Sequence, residues 1–287
     1  MKWYGGANKY KNLFVTDAAA GGNDEISVID MTETLPEGIL PAKTIAICKN
    51  TETKDAIDFI ASTNVSHVVQ VDENFNKQMA TSIKIITDPE KYLFHPSECT
   101  LGPQKESRYF KMAISCSKEK RDVVEKLLKF AENLVSISSI RDSLALMADE
   151  LITNAFFNAP TDSEEQHIYA HMKRTEIVQL APNKCAEVFL TVAKDCLMIG
   201  CTDLYGSIQL EEFIKRLQKN YGDSKTFNMN MGHAGAGIGC RMMIDHSSSF
   251  SVVAKKNQRT VMSCTLPLAQ SMKSLEARKK SLHFSFI

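Results

Sequence analysis

The chain has 287 residues, enough for two domains at the usual ~100 to 200 residues each, and its 34 basic and 34 acidic side chains balance. Balanced charge leaves no global field to draw in nucleic acid or an anionic membrane, and no apolar run approaches the ~18 residues needed to cross a bilayer. The polar N-terminal stretch lacks the apolar core of an export signal, and the eight cysteines show neither Cys-x-x-Cys nor Cys/His zinc spacing, so a cytoplasmic protein with reduced thiols is expected, binding neither nucleic acid nor membrane.

In chain order, Leu13–Thr16, Thr44–Cys48, Ser66–Val71 and Ile83–Ile86 are short β-rich runs and read as strands. Between the second and third, Thr53–Ser62 places Ala56, Ile57, Phe59 and Ile60 at helical spacing. A strand, helix, strand order predicts a small parallel α/β unit. The polar, turn-rich segment Pro96–Arg108, with Gly102-Pro103 at its centre, is the best boundary. It divides the chain into a regulatory or interaction α/β domain (1–108), a second domain (109–270) and a basic, apolar tail (271–287), which reads as a flexible arm or docking segment.

The second domain opens with an amphipathic helix, Lys118–Leu134, and a second helix from about Ser139 to Asn158 that Pro160 stops. The polar stretch Asp162–Lys184 predicts a long loop, large enough to cover a site or bind a partner. Ala186–Ala193 and Cys196–Thr202, separated by Lys194-Asp195, have the form of a hairpin. Leu210–Gln218 reads as a helix, Phe227–Gly239 as a Gly-rich loop feeding a helix over Cys240–His246, and Phe250–Ala254 with Thr260–Leu266 as a last hairpin.

Four features carry chemistry. Glu150, Asn154 and Asn158 recur at intervals of four, so a helix aligns a carboxylate and two amides along one edge. A carboxamide oxygen suits Mg²⁺, which takes few protein ligands beside phosphate oxygens and water, and a carboxylate one turn away could serve as a base. Asp203 ends a strand, followed three residues later by Gly206, a turn whose carboxylate could accept a hydrogen bond from an exocyclic amine such as that of adenine. Gly232-His-Ala-Gly235-Ala-Gly237-Ile-Gly239 lets the backbone approach a phosphate at a helix N-terminus. Thr260 sits in the last hairpin. Taken singly, each has a plainer reading: a solvated helix edge, a capped turn, a dinucleotide loop lacking its preceding strand, an ordinary strand residue.

In order and spacing, the four together resemble the GHKL superfamily, the histidine-kinase-like ATPases, over the half of the chain from Lys118 to Leu268. The resemblance implies an α/β fold with a C-terminal two-layer α/β sandwich around one nucleotide, ATP or ADP, held through Mg²⁺. It makes Asn154 the metal ligand, Glu150 the catalytic base, and Asp203 with Gly206 the adenine turn. Gly235, Gly237 and Gly239 become the phosphate loop, with Asn158 facing the phosphates and Thr260 supporting the adenine side. The chain departs from the family's Asp-x-Gly-x-Gly turn by placing Tyr205 and Ser207 around Gly206.

No histidine lies between His95 and Glu150 to serve as a phosphoacceptor, so the layout looks more like the anti-sigma-factor serine kinases. The implied function is phosphoryl transfer from ATP to Ser or Thr of a partner regulatory protein, with a homodimer also allowed. The alternative is a non-catalytic nucleotide sensor whose lid orders on binding and switches a protein interface. The N-terminal unit is loosely similar to a receiver domain, but its Asp17 and Asp30 do not supply the acidic pair and separate phosphorylatable Asp. It is either a degenerate receiver-like domain or an unrelated α/β interaction domain.

Overall fold

The computed structural model describes residues 3–4, 11–16, 23–31, 43–102, 107–222, 238–268 and 278–287. Among them the strands are β1 Trp3–Tyr4, β2 Lys11–Thr16, β3 Asn23–Asp30, β4 Thr44–Cys48, β5 His67–Gln70, β6 Arg108–Ile114, β7 Ala186–Val192, β8 Cys196–Asp203, β9 Ser249–Lys255, β10 Arg259–Pro267 and β11 Ser281–Phe286. The helices are α1 Thr53–Ser62, α2 Phe75–Thr87, α3 Pro89–Phe94, α4 Pro96–Leu101, α5 Lys120–Glu132, α6 Ser138–Thr153, α7 Leu210–Gly222 and α8 Ile238–Asp245. The architecture is mixed α/β, with one sheet in the order β1-β2-β3-β4-β5-β11-β9-β10-β8-β7-β6.

β4 and β5 pair in parallel across the crossover helix α1. β6, β7, β8, β10 and β9 form an antiparallel run in which β7 and β8 are the hairpin turning at Lys194-Asp195. All eight residues of β8 are buried. An antiparallel strand buried on both faces needs cover on both. On one face Leu144, Met147 and Leu151 of α6 and Ile244 of α8 meet Val188, Leu190, Leu197, Ile199 and Val252. On the other, Tyr92, Leu93 and Cys99 of α3 and α4 meet Phe189, Met198, Val253 and Val261. Helices from the N-terminal third therefore cover the far face of the C-terminal strands, making a third layer where two are expected.

Four elements differ from expectation, three of them in the N-terminal part. Ile83–Ile86, expected as a strand, lies inside α2, where Met79 and Ile83 pack on Ile26, Val28, Ile45 and Val69, while Ile85 joins the cluster of α3 and α4. A four-residue apolar run does not distinguish strand from helix; here the residues before it extend the helix, and two separate apolar clusters receive its faces. β3, not expected at all, pairs antiparallel with β2 and parallel with β4. The segment Pro96–Arg108 begins with α4, with Pro96 in its first turn.

The tail is the largest departure. Its residues 281–286 form β11 in the middle of the sheet, parallel to β9 and antiparallel to β5. Leu282 and Phe284 are fully buried, each contributing about 1.5–3 kcal/mol by leaving water. Among the described residues no helix is long and apolar enough to cross a membrane.

Candidate functional site

The helix from Ser138 changes pitch within its polar edge, between Glu150 and Asn158. α6 ends at Thr153 and continues as a π-helical turn, Asn154–Asn158, in which the Ala159 N–H donates to the Asn154 carbonyl at 2.9 Å. Such turns recur at functional sites because the wider turn re-aims side chains. The three polar residues become a hydrogen-bonded row: Asn158 Nδ2 donates to Asn154 Oδ1 at 2.5 Å, and Asn154 Nδ2 donates to Glu150 Oε1 at 3.0 Å. Asn154 is 8% exposed. Burial raises the Glu150 carboxyl above its ordinary value, against the opposing pull of the Asn154 N–H and the Arg174 charge.

Asp203 closes β8, and its Oδ1 accepts from the N–H groups of Tyr205 (2.9 Å) and Gly206 (3.2 Å), a local turn that uses one carboxylate oxygen. Burial raises its pKa more than these N–H groups lower it. Thr260 lies directly across from Asp203 on β10. Its hydroxyl is close enough to favour the carboxylate but completes no well-formed hydrogen bond. Gly206 has φ +62° and lies on the β9–β10 turn, where a β-carbon would overlap the Lys255 carbonyl; Asn257 N–H donates to the Gly206 carbonyl at 3.2 Å.

Both groups open on one cavity of about 460 Å³, lined by Asn154 and Asn158 together with Asp203 and Gly206. The volume is within the ~300 to 1,000 Å³ of small-molecule sites. Glu150 and Thr260 stand behind this wall rather than on it. Gly239, expected to end the phosphate loop, instead lies in the first turn of α8 and packs on Glu150, where a β-carbon would overlap the carboxyl. Gly235 and Gly237 lie outside the described residues.

Several further residues surround the cavity. Ser207 lines it with a buried hydroxyl that has no hydrogen-bond partner among the described residues. Lys184 holds the Leu204 carbonyl and stands 5.1 Å over the Tyr205 ring, steadying the departing turn. The 162–184 segment contributes to the lining: Glu165 and His167 face the cavity, and Glu165 pairs with Lys256 at 2.8 Å on the β9–β10 turn. Phe286 and Ile287, at the end of β11, also line it. The length and polarity of Asp162–Lys184, and the replacement of two expected glycines by Tyr205 and Ser207, are the signals in the sequence that point to some of these. In comparisons with known proteins, no family model matches the chain and no curated protein matches it.

Proposed function

We propose that this cavity binds ATP through Mg²⁺, in an α/β sandwich of the histidine-kinase-like ATPase type, and that the protein transfers the γ-phosphate to Ser or Thr of a partner protein. The observation that carries the reading is the convergence on one cavity of two amides from the π-helical turn and a buried carboxylate at a strand end. Asp203 has one oxygen left for an exocyclic amine once Oδ1 is committed to its turn. Asn154 Oδ1 accepts one hydrogen bond and keeps a second lone pair, which suits a hard cation. Among the described residues no group of three or more His, Cys, Asp or Glu side chains comes together, so a metal here would depend on Asn154, water and phosphate oxygens.

Phosphoryl transfer asks the protein chiefly for positioning, charge stabilisation and a base. In this reading Glu150, whose carboxyl burial shifts upward, is the base that takes the proton of an incoming hydroxyl. One observation favours the sensor alternative. Glu150 already accepts the Asn154 N–H and is backed by Gly239, and it does not line the cavity, so binding would need less rearrangement than catalysis.

Calorimetric titration with ATP and ADP, with and without Mg²⁺, tests the site. Metal-assisted binding that weakens at least tenfold in Asn154→Ala and Asp203→Ala is expected; no binding at millimolar nucleotide would refute it. Transfer of labelled phosphate to a co-purified protein separates kinase from sensor.

A further inference from the structure

Arg174 comes from the middle of the 162–184 segment, far in sequence from the α6 edge it meets. Its guanidinium donates to Asn158 Oδ1 at 3.0 Å through Nη2 and stacks over the Phe157 ring with Cζ 4.7 Å from the centroid. Its Nη1 is buried with no hydrogen-bond partner among the described residues. A buried guanidinium nitrogen left unpaired is unfavourable, and such exceptions call for a reason.

What the Nη2 contact does follows from hydrogen-bond polarity. An Asn amide can turn over, exchanging its oxygen and its NH₂, and its orientation follows from its neighbours. A guanidinium only donates. Arg174 therefore requires Asn158 to present its oxygen, which turns the Asn158 NH₂ to Asn154. Asn154 must then present its oxygen to Asn158 and its NH₂ to Glu150. At the other end Glu150 Oε1 receives the Asn154 NH₂, so the row runs in one direction from the guanidinium to the carboxylate. Arg174 is the end of the row that only donates.

We propose that Arg174 is a positioning residue for the metal-bearing side of the cavity, fixing Asn154 with its carboxamide oxygen turned to Asn158 and the phosphate side. The proposal rests on the nucleotide reading above. With Asn154 turned over, an NH₂ group would stand where a cation needs an oxygen. Binding of the metal-free nucleotide, governed by the Asp203 side, does not depend on this orientation. The 162–184 segment thus supplies a determinant of metal use as well as part of the cavity lining.

Calorimetry on the full chain tests it with ATP alone and with ATP plus Mg²⁺, comparing wild type, Arg174→Met and Arg174→Lys. Methionine keeps an apolar stem over Phe157 and removes every donor; lysine restores a cation that only donates. The expected result is that Arg174→Met loses at least tenfold of the affinity gained from Mg²⁺ while metal-free ATP binding stays within twofold, and that Arg174→Lys recovers most of the loss. Full retention of the Mg²⁺ gain in Arg174→Met, or equal loss with and without metal, overturns the proposal. If Arg174→Met does not fold, Arg174→Gln, which keeps a polar head but no longer only donates, is judged by the same two outcomes. No Mg²⁺ gain in the wild type would refute the nucleotide reading and this inference with it; a wild-type gain that survives in the variants refutes the inference alone.

Discussion

Gly239 packs directly on the Glu150 carboxyl, so that a β-carbon at residue 239 would occupy the space the carboxyl fills. Gly206 is equally crowded, but by backbone: a β-carbon there would overlap the Lys255 carbonyl and lie 2.8 Å from Gln258 N, at a φ of +62°. The two glycines should respond differently to a methyl group. A side chain can swing away, whereas a hairpin backbone cannot do so without losing its ladder. Gly206→Ala should cost about 2–4 kcal/mol of stability, from strain at positive φ plus the backbone clash. Gly239→Ala should cost about 1 kcal/mol or less, while displacing Glu150 and weakening nucleotide binding. Thermal denaturation beside ATP titration separates them, and an equal loss of stability in both would contradict this account.

β11 lies between β5 and β9, and Phe284 packs at the centre of an aromatic group with Phe213 at 5.7 Å and Phe250 at 6.3 Å between ring centroids. Phe284→Ala should cost about 3–5 kcal/mol. Deleting residues 281–287 should be worse, because it exposes the unpaired edges of two central strands to self-association. Urea denaturation of the point variant and light scattering of the truncated one are the checks; a truncated protein as stable as the full chain would mean that β11 is not integral.

His283 is fully buried, its Nε2 at 2.8 Å from Gln78 Oε1 and its Nδ1 at 2.9 Å from Ser82 Oγ. Desolvation lowers its pKa to about 3, and His67, 5.9 Å away between ring centroids, is lowered in the same sense by burial and by its neighbour's charge. A histidine with a depressed native pKa takes up a proton on unfolding once pH falls below ~6.5, so stability is full above that value and declines toward the native pKa. The decline for His283 should reach about 1.4 kcal/mol by pH 5.5. Denaturation between pH 7.5 and 5.5 should show this slope in the wild type and a shallower one in His283→Gln. Equal slopes would remove His283 as its source.

Six of the eight cysteines are buried, and Cys116 and Cys185 are partly exposed. Burial raises the Cys48 thiol to about 11 and those of Cys196 and Cys240 to about 12, which leaves almost no thiolate at neutral pH. Alkylation of the native protein at pH 7.5 should modify Cys116 and Cys185 and spare the other six until denaturant is added. Peptide mass mapping checks this, and rapid native labelling of Cys240 would show that α8 opens away from α6.

Local patterns were legible wherever neighbours in sequence are also neighbours in space. The β7–β8 hairpin turns at Lys194-Asp195, α1 matches its helical spacing residue for residue, and the interval of four that joins Glu150, Asn154 and Asn158 is the interval along which their side chains bond. That such a row would be stretched into a π-helical turn was not legible, because the i→i+5 hydrogen bond carries no residue signature here.

The sequence by itself determined these short-range elements, since periodicity of 2 or 3.6 residues and turn chemistry act over a few positions. Tertiary structure decided the rest. Ile83–Ile86 is helical because two apolar clusters take its faces. Residues 281–286 are a strand because β5 and β9 present open edges, joined across 211 residues of chain where Gln70 N–H donates to Ser281 Oγ. Arg174 reaches Asn158 only because the 162–184 segment folds back over α6. A strand edge and a buried amide accept whichever partner the closed chain delivers, and that choice depends on the burial and hydrogen bonding of the whole molecule rather than on the residues beside it.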